Sequence, residues 1–100
     1  MKEKREVLMV MFRSNPQLGD YCCIRKAEVV KTDKKTMEVS DGIISRKFDF
    51  FGTEVNPTES VYGSVFYRVF CFEAANDLYD GEKFDGYRIS QGKELLTSKG

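Results

Sequence analysis

With no histidine among its 100 residues, the chain leaves covalent or metal chemistry to its cysteines and carboxylates. The lack of histidine removes Ser-His and Cys-His nucleophile pairs, the side chain that most readily moves protons near neutral pH, and the commonest zinc ligand. Cys22 and Cys23 are adjacent and Cys71 is far along the chain. Neighbours in a strand point to opposite faces, so the three thiols cannot converge on one tetrahedral metal. Cys22 or Cys23 would be nucleophilic only with a pKa lowered by Arg25 or Lys26, and no general base accompanies them. Reduced, mostly buried thiols are expected, with a disulfide from Cys71 to one of the pair as the alternative. The carboxylates are densest in residues 73–85, with five against one lysine. Compared with a calcium loop, Asp80-Gly81 at the fifth and sixth positions puts Leu78 at the third and Tyr87 at the twelfth, where oxygen ligands are required. Asp77, Asp80, Glu82 and Asp85 therefore read as solvated turns. No catalytic residue, metal or cofactor is expected, and the protein is not expected to be an enzyme.

The remaining chemistry is recognition. Arg25, Lys26, Lys31, Lys34, Lys35, Arg46 and Lys47 fall in one stretch, and with Phe51 or Tyr21 nearby they could follow a phosphate backbone while a base stacks on a ring. Glu28, Asp33, Glu38 and Asp41 interrupt that stretch, the net charge is zero and the pI is about 6.3, unlike most nucleic-acid domains. Nucleic acid is therefore the alternative ligand. The leading expectation is a protein partner, met by Tyr79, Asp80, Glu82, Asp85 and Tyr87 and by the polar residues Arg13, Asn15 and Gln17. Tyrosine suits such a role because it buries much area at small entropic cost. Residues 1–50 carry eleven basic against eight acidic side chains and residues 51–100 five against eight, which suggests a basic and an acidic side.

Strands must position these groups. Residues 6–12 are apolar throughout, as in a central strand covered on both faces. Residues 13–20, with Ser14-Asn15-Pro16 and Gly19-Asp20, read as a loop able to carry a binding surface. Residues 21–32 form a long second strand whose alternation breaks, predicting a bulge near Arg25-Lys26. Residues 36–40 and 43–50 complete a meander through the turns at Asp33-Lys34-Lys35 and Asp41-Gly42, with Ile44, Phe48 and Phe50 sharing a buried face with Arg46. Residues 54–63 read as a linker in which Pro57 forbids a central strand, pinned by Val55, Val61 and Tyr62. Residues 64–72 are strongly strand-forming. A short helix is expected over 73–79, an extended segment over 82–89 with Phe84, Tyr87 and Ile89 inward, and a frayed or weakly helical tail beyond.

The runs AEVVKTDKKTMEVSDG and RKFDFFGTEV resemble small uncharacterised SH3-like β-barrel proteins of phages and mobile elements. The likeness is carried by Val30, Lys31, Lys34, Lys35, Asp41, Gly42, Arg46, Lys47, Phe48 and Gly52. It implies an SH3-like barrel and a phage or mobile-element origin. The expectation is thus mainly β: one small antiparallel SH3-like barrel of five or six strands over residues 1–90, with one short helix after the fifth strand and a tail over 91–100. The apolar run of residues 7–12 is far below a membrane span, and below a signal peptide's hydrophobic region. A cytoplasmic protein with no membrane contact is expected, and homodimerisation through an exposed strand at 7–12 or 65–72 is open.

Overall fold

The apolar run of residues 7–12 becomes the centre of the molecule because both of its faces find a core. The computed structural model describes residues 5–55 and 64–97. In chain order these form β1 (Arg5–Asn15), β2 (Gly19–Thr32), β3 (Thr36–Ser40), β4 (Ser45–Asp49), β5 (Ser64–Phe70), α1 (Phe72–Leu78), β6 (Lys83–Phe84), β7 (Tyr87–Gln91) and α2 (Lys93–Thr97). The fold is mainly β, a curled antiparallel sheet in the order β4-β3-β2-β1-β5. The β6–β7 hairpin joins it through a parallel pairing of β7 with the start of β2.

Alternation sends the two parities of β1 into two clusters. Val7 and Met9 meet Ala27, Met37, Val39, Phe48 and Val69 inside the curl. Leu8, Val10 and Phe12 meet Cys22, Ile24, Ala75, Phe84 and Leu96 on the other side, beneath the helices and the β6–β7 hairpin. Phe12, Phe48 and Phe84 are fully buried, each worth roughly 1.5–3 kcal/mol of transfer free energy. The second cluster also explains the broken alternation in β2. Cys22 and Ile24 face it, while Ala27 faces the first, so no bulge is needed at Arg25-Lys26. The register instead slips at Cys22/Cys23 against β7 and at Val29/Lys31 against β3, which leaves Val30 exposed.

Residues 52–55 tie the two ends of the curl together. Thr53 bridges to Arg68 of β5 and Glu54 to Phe48 of β4. Val69 N–H donates to the Gly52 carbonyl, and Val55 N–H to that of Lys47, both at 2.9 Å. The rest of the expected linker, with Pro57, Val61 and Tyr62, lies outside the described residues.

The loop expected over 13–20 is a correction. β1 runs to Asn15 and β2 starts at Gly19, so only three residues turn the chain. Gly19 adopts φ +84° and Asn15 Oδ1 accepts from the amides of Gln17 and Leu18, a tight hairpin that the polar composition disguised. β1 is also central, paired with β2 and β5, so it offers no edge for a dimer. β4 stops at Asp49, and Phe50, expected inside, is half exposed. The tail is less frayed than expected: Leu96 of α2 is buried in the second cluster.

Carboxylates close the next two turns in the same way. Asp33 Oδ1 accepts from Lys35 and Thr36, and Asp41 Oδ1 from Ile43 and Ile44, at 2.8–2.9 Å. The amides of Lys35 and Thr36 hold Asp33 below the usual carboxylate range. Burial pushes Asp41 up, but the amides of Ile44 and Ile43 and the Arg25 guanidinium outweigh it and bring it down. Both groups are more acidic folded than unfolded. Their stabilisation is therefore complete above about pH 5 and lost as pH falls below about 4, through the folded-state values. The urea midpoint should fall on acidification from about pH 5 to about pH 3. Asp33→Asn with Asp41→Asn should flatten that slope, since asparagine keeps the acceptor oxygen without titrating; an unchanged slope would exclude these turns as its source.

Candidate functional site

The Asp49-Phe50-Phe51-Gly52 turn is fastened by several hydrogen bonds. Asp49 Oδ1 accepts from the amides of Phe51 and Thr53 at 2.9 Å, and Gly52 N–H donates to the Asp49 carbonyl at 3.1 Å. Gly52 is then held against β5 by the Val69 amide. This fixed turn leaves Phe50 52% and Phe51 90% exposed. Isolated surface apolar residues are ordinary, but two adjacent phenylalanines on an ordered turn are a preformed apolar contact.

Lysines lie at the same end. Thr36 pairs with Asp49 and Thr32 with Met37, so the Asp33-Lys34-Lys35 turn lies at the same end of the barrel as Phe50 and Phe51. Lys31, Glu38 and Lys47 are in register across β2, β3 and β4, and with Asp33 and Thr36 they line a shallow depression of about 70 Å³.

The structure divides the seven cations of the basic stretch. Arg46 donates from Nη1 to Glu54 Oε2 at 2.8 Å, and its guanidinium lies 4.0 Å from the centre of the Tyr67 ring. Burial would lower the pKa of Arg46, but Glu54 and Tyr67 raise it further above its ordinary value. Arg25 Nη1 is 3.6 Å from Asp41 Oδ2, and Lys26 Nζ is 3.3 Å from Glu6 Oε2. These three have carboxylate partners. Among the described residues Lys31, Lys34, Lys35 and Lys47 have no carboxylate within 4.0 Å and sit together at the Phe50–Phe51 end.

The residues expected to meet a protein partner serve structural ends for the most part. Tyr87 packs edge-on against Phe12, ring centres 4.7 Å apart, and Tyr79 donates its hydroxyl to the Gly81 carbonyl at 2.8 Å while packing on the second cluster. Asp80 closes the β6 turn by accepting from the Lys83 amide. Asp85, at φ 52°, is 3.9 Å from Arg68 Nη1. Arg13 lies within β1 between Tyr21 and Val65, Asn15 caps the hairpin, and Gln17 and Glu82 are exposed. Arg88 reaches the Leu18 carbonyl, so the hairpin tip and β7 are neighbours, yet the tyrosines between them face inward. Phe50 was missed because a strand continued through it would bury it. The signal for its exposure is the Asp49 to Gly52 spacing, which closes a turn.

A groove of about 360 Å³ opens where β2 leaves β7 for β3, lined by Glu6, Lys26, Ala27, Glu28, Val30, Ser40, Asp41 and Gly42. Within it Lys26 pairs with Glu6, Asp41 pairs with Arg25, and the Ser40 hydroxyl accepts from the Gly42 amide. Among the described residues no group of three metal-ligating side chains converges. All three cysteines are free thiols. Burial, then the charges of Cys23 and Asp85, push the Cys22 thiol up to about 12. Iodoacetamide at about pH 8 should therefore spare Cys22 until the chain unfolds, because the thiolate is the reacting species; peptide mapping that found Cys22 alkylated first would contradict this. No described helix is long and apolar enough to cross a membrane. In comparison with known proteins, no family model, curated protein or solved structure matches this chain.

Proposed function

We propose that the protein is a non-catalytic interaction module that binds a protein partner through the end of its barrel, with Phe51 as the anchor and Phe50 beside it. The observation that carries the reading is the exposure of two phenylalanines on a turn already held by two hydrogen bonds to the Asp49 carboxylate and three between backbone groups. Binding through such a turn orders little that is not ordered beforehand, so the area it buries is converted into affinity with small entropic loss. Aromatic anchors of this kind dominate interface energetics. The contact moves from the tyrosines of residues 79–87 to this turn because those tyrosines are spent on packing. The reading includes an SH3-like barrel, a cytoplasmic setting in which three thiols stay reduced, an inhibitor role, and, as the resemblance implies, a phage or mobile-element origin.

Phe51→Ala should leave thermal stability within about 0.5 kcal/mol, since the ring touches solvent, and should weaken partner binding by more than about tenfold. The check is affinity capture from a lysate of the source organism with wild-type and variant proteins in parallel. A stoichiometric protein retained by the wild type and lost by the variant supports the reading; retention of nucleic acid alone overturns it.

A further inference from the structure

Resting on that reading, we infer that the partner surface is an apolar pocket rimmed by carboxylates: Phe51 fills the pocket, and Lys31, Lys34, Lys35 and Lys47 face the rim. The argument is one of charge commitment. Of the seven cations in residues 25–47, Arg25, Lys26 and Arg46 have carboxylate partners, Arg46 on the opposite face of β4 from its neighbour Lys47, and the four with no carboxylate within 4.0 Å among the described residues lie toward the Phe50–Phe51 end. The acids at that end are differently disposed. Asp33 turns both oxygens onto Lys35, Thr36 and the Thr36 hydroxyl, and Asp49 turns one onto Phe51 and Thr53. Their charge is directed into backbone amides and the Thr36 hydroxyl, with Lys47 adding a weaker attraction on Asp33, whereas Lys31, Lys34 and Lys35 are exposed. Glu38 alone stands in the lysine row, in register between Lys31 and Lys47.

An apolar centre with exposed cations beside it is complementary to an apolar centre bordered by the opposite charge, the usual anatomy of a specific protein interface. The same surface suits a nucleic acid less well. Adjacent strands are about 4.8 Å apart, so the row from Lys31 to Lys47 spans only about 10 Å, enough for a few phosphates and no extended track. The chain as a whole is neutral, which withholds the long-range attraction that nucleic-acid domains exploit.

The test uses two probes. The immobilised protein is panned against a phage-displayed random dodecapeptide library, and a fluorescein-labelled oligo(dT) strand is titrated separately at low salt. The inference expects enriched peptides that combine a large apolar side-chain cluster with net negative charge. Their synthetic consensus should lose about tenfold or more in affinity with Phe51→Ala, and similarly with Lys34→Glu combined with Lys35→Glu, and its binding should weaken as salt rises. Lys34 and Lys35 are exposed turn residues, and circular dichroism melting of each variant confirms that the fold is intact. Neutral or basic peptides that still depend on Phe51 would overturn the acidic rim and leave the anchor standing. Peptides indifferent to Phe51, no enrichment at all, or tight binding of oligo(dT) alone would overturn the anchor and the inference together.

Discussion

Gly52→Ala is expected to destabilise the protein by roughly 2–4 kcal/mol, about as much as a large core truncation, although it adds only one methyl group. Two effects combine. Gly52 has φ +91°, a backbone conformation that costs an L-residue about 1–2 kcal/mol. A Cβ at that position would also lie 2.2 Å from the Val69 carbonyl oxygen, a backbone atom that cannot rotate away. The contact cannot be relieved locally, because the Val69 amide is bonded to the Gly52 carbonyl and the Gly52 amide to Asp49. Relief requires moving residues 52–55 away from β5, which loosens the strap joining the two ends of the curled sheet. Gly42→Ala is the control. Its φ is +94°, but no heavy atom lies within 4 Å of the added Cβ, so it should cost only about 1 kcal/mol. Urea unfolding of both variants measures the difference. Equal midpoints would mean that the close approach to Val69 has no energetic consequence, and that closure through residues 52–55 is incidental.

Phe12→Ala carries the other large effect, an expected loss of about 3–5 kcal/mol. Phe12 is fully buried and its ring meets four others: stacked on Phe66 at 5.0 Å, edge-on to Tyr87 at 4.7 Å, and within 6.4 Å of Phe70 and Phe84. These rings come from β1, β5, β6 and β7, so one side chain holds the β6–β7 hairpin against the sheet. Removing it leaves a cavity that rigid neighbours cannot collapse into. Against a total stability of about 5–15 kcal/mol for a domain of this size, the variant should be marginal, with a melting temperature lowered by about 4–8 °C for each kcal/mol. Amides of residues 78–89 should lose exchange protection before those of β3 and β4, which belong to the other cluster. Uniform loss across both clusters would show that they unfold as one unit. Phe51→Ala, also a phenylalanine truncation, should leave the melting curve unchanged, because the cost follows burial and not residue type.

How far the sequence could be read depended on the range of the interactions involved. The meander of β2, β3 and β4 was legible because Asp33 and Asp41 close their turns with hydrogen bonds two and three residues away, and because Met37, Val39 and Phe48 alternate against charged neighbours. The hairpin at Asn15 was equally local, yet Ser14, Pro16 and Asp20 made it look like a longer loop; the pairing of Arg13 with Tyr21 and Val65 extends the strands through them. Phe50 illustrates the opposite error, a period of two carried one residue beyond a turn. For the candidate site, Phe51 and the lysines were visible as residue types, but the division of the cations was not, because Glu54 and Glu6 come to Arg46 and Lys26 only through the pairing of strands.

Residue types and their spacing alone determined that the chain is mainly β, that residues 7–12 need cover on two sides, where the β2–β3–β4 turns fall, and that histidine chemistry is absent. Those properties depend on each residue and its neighbours within three or four positions. Tertiary structure decided which cations are spent on ion pairs, that Tyr79 and Tyr87 face inward, that Cys22 is buried, and that Phe51 is left outside. Each of these outcomes depends on which distant segment the curl of the sheet brings alongside, and burial and charge pairing are settled only at that contact.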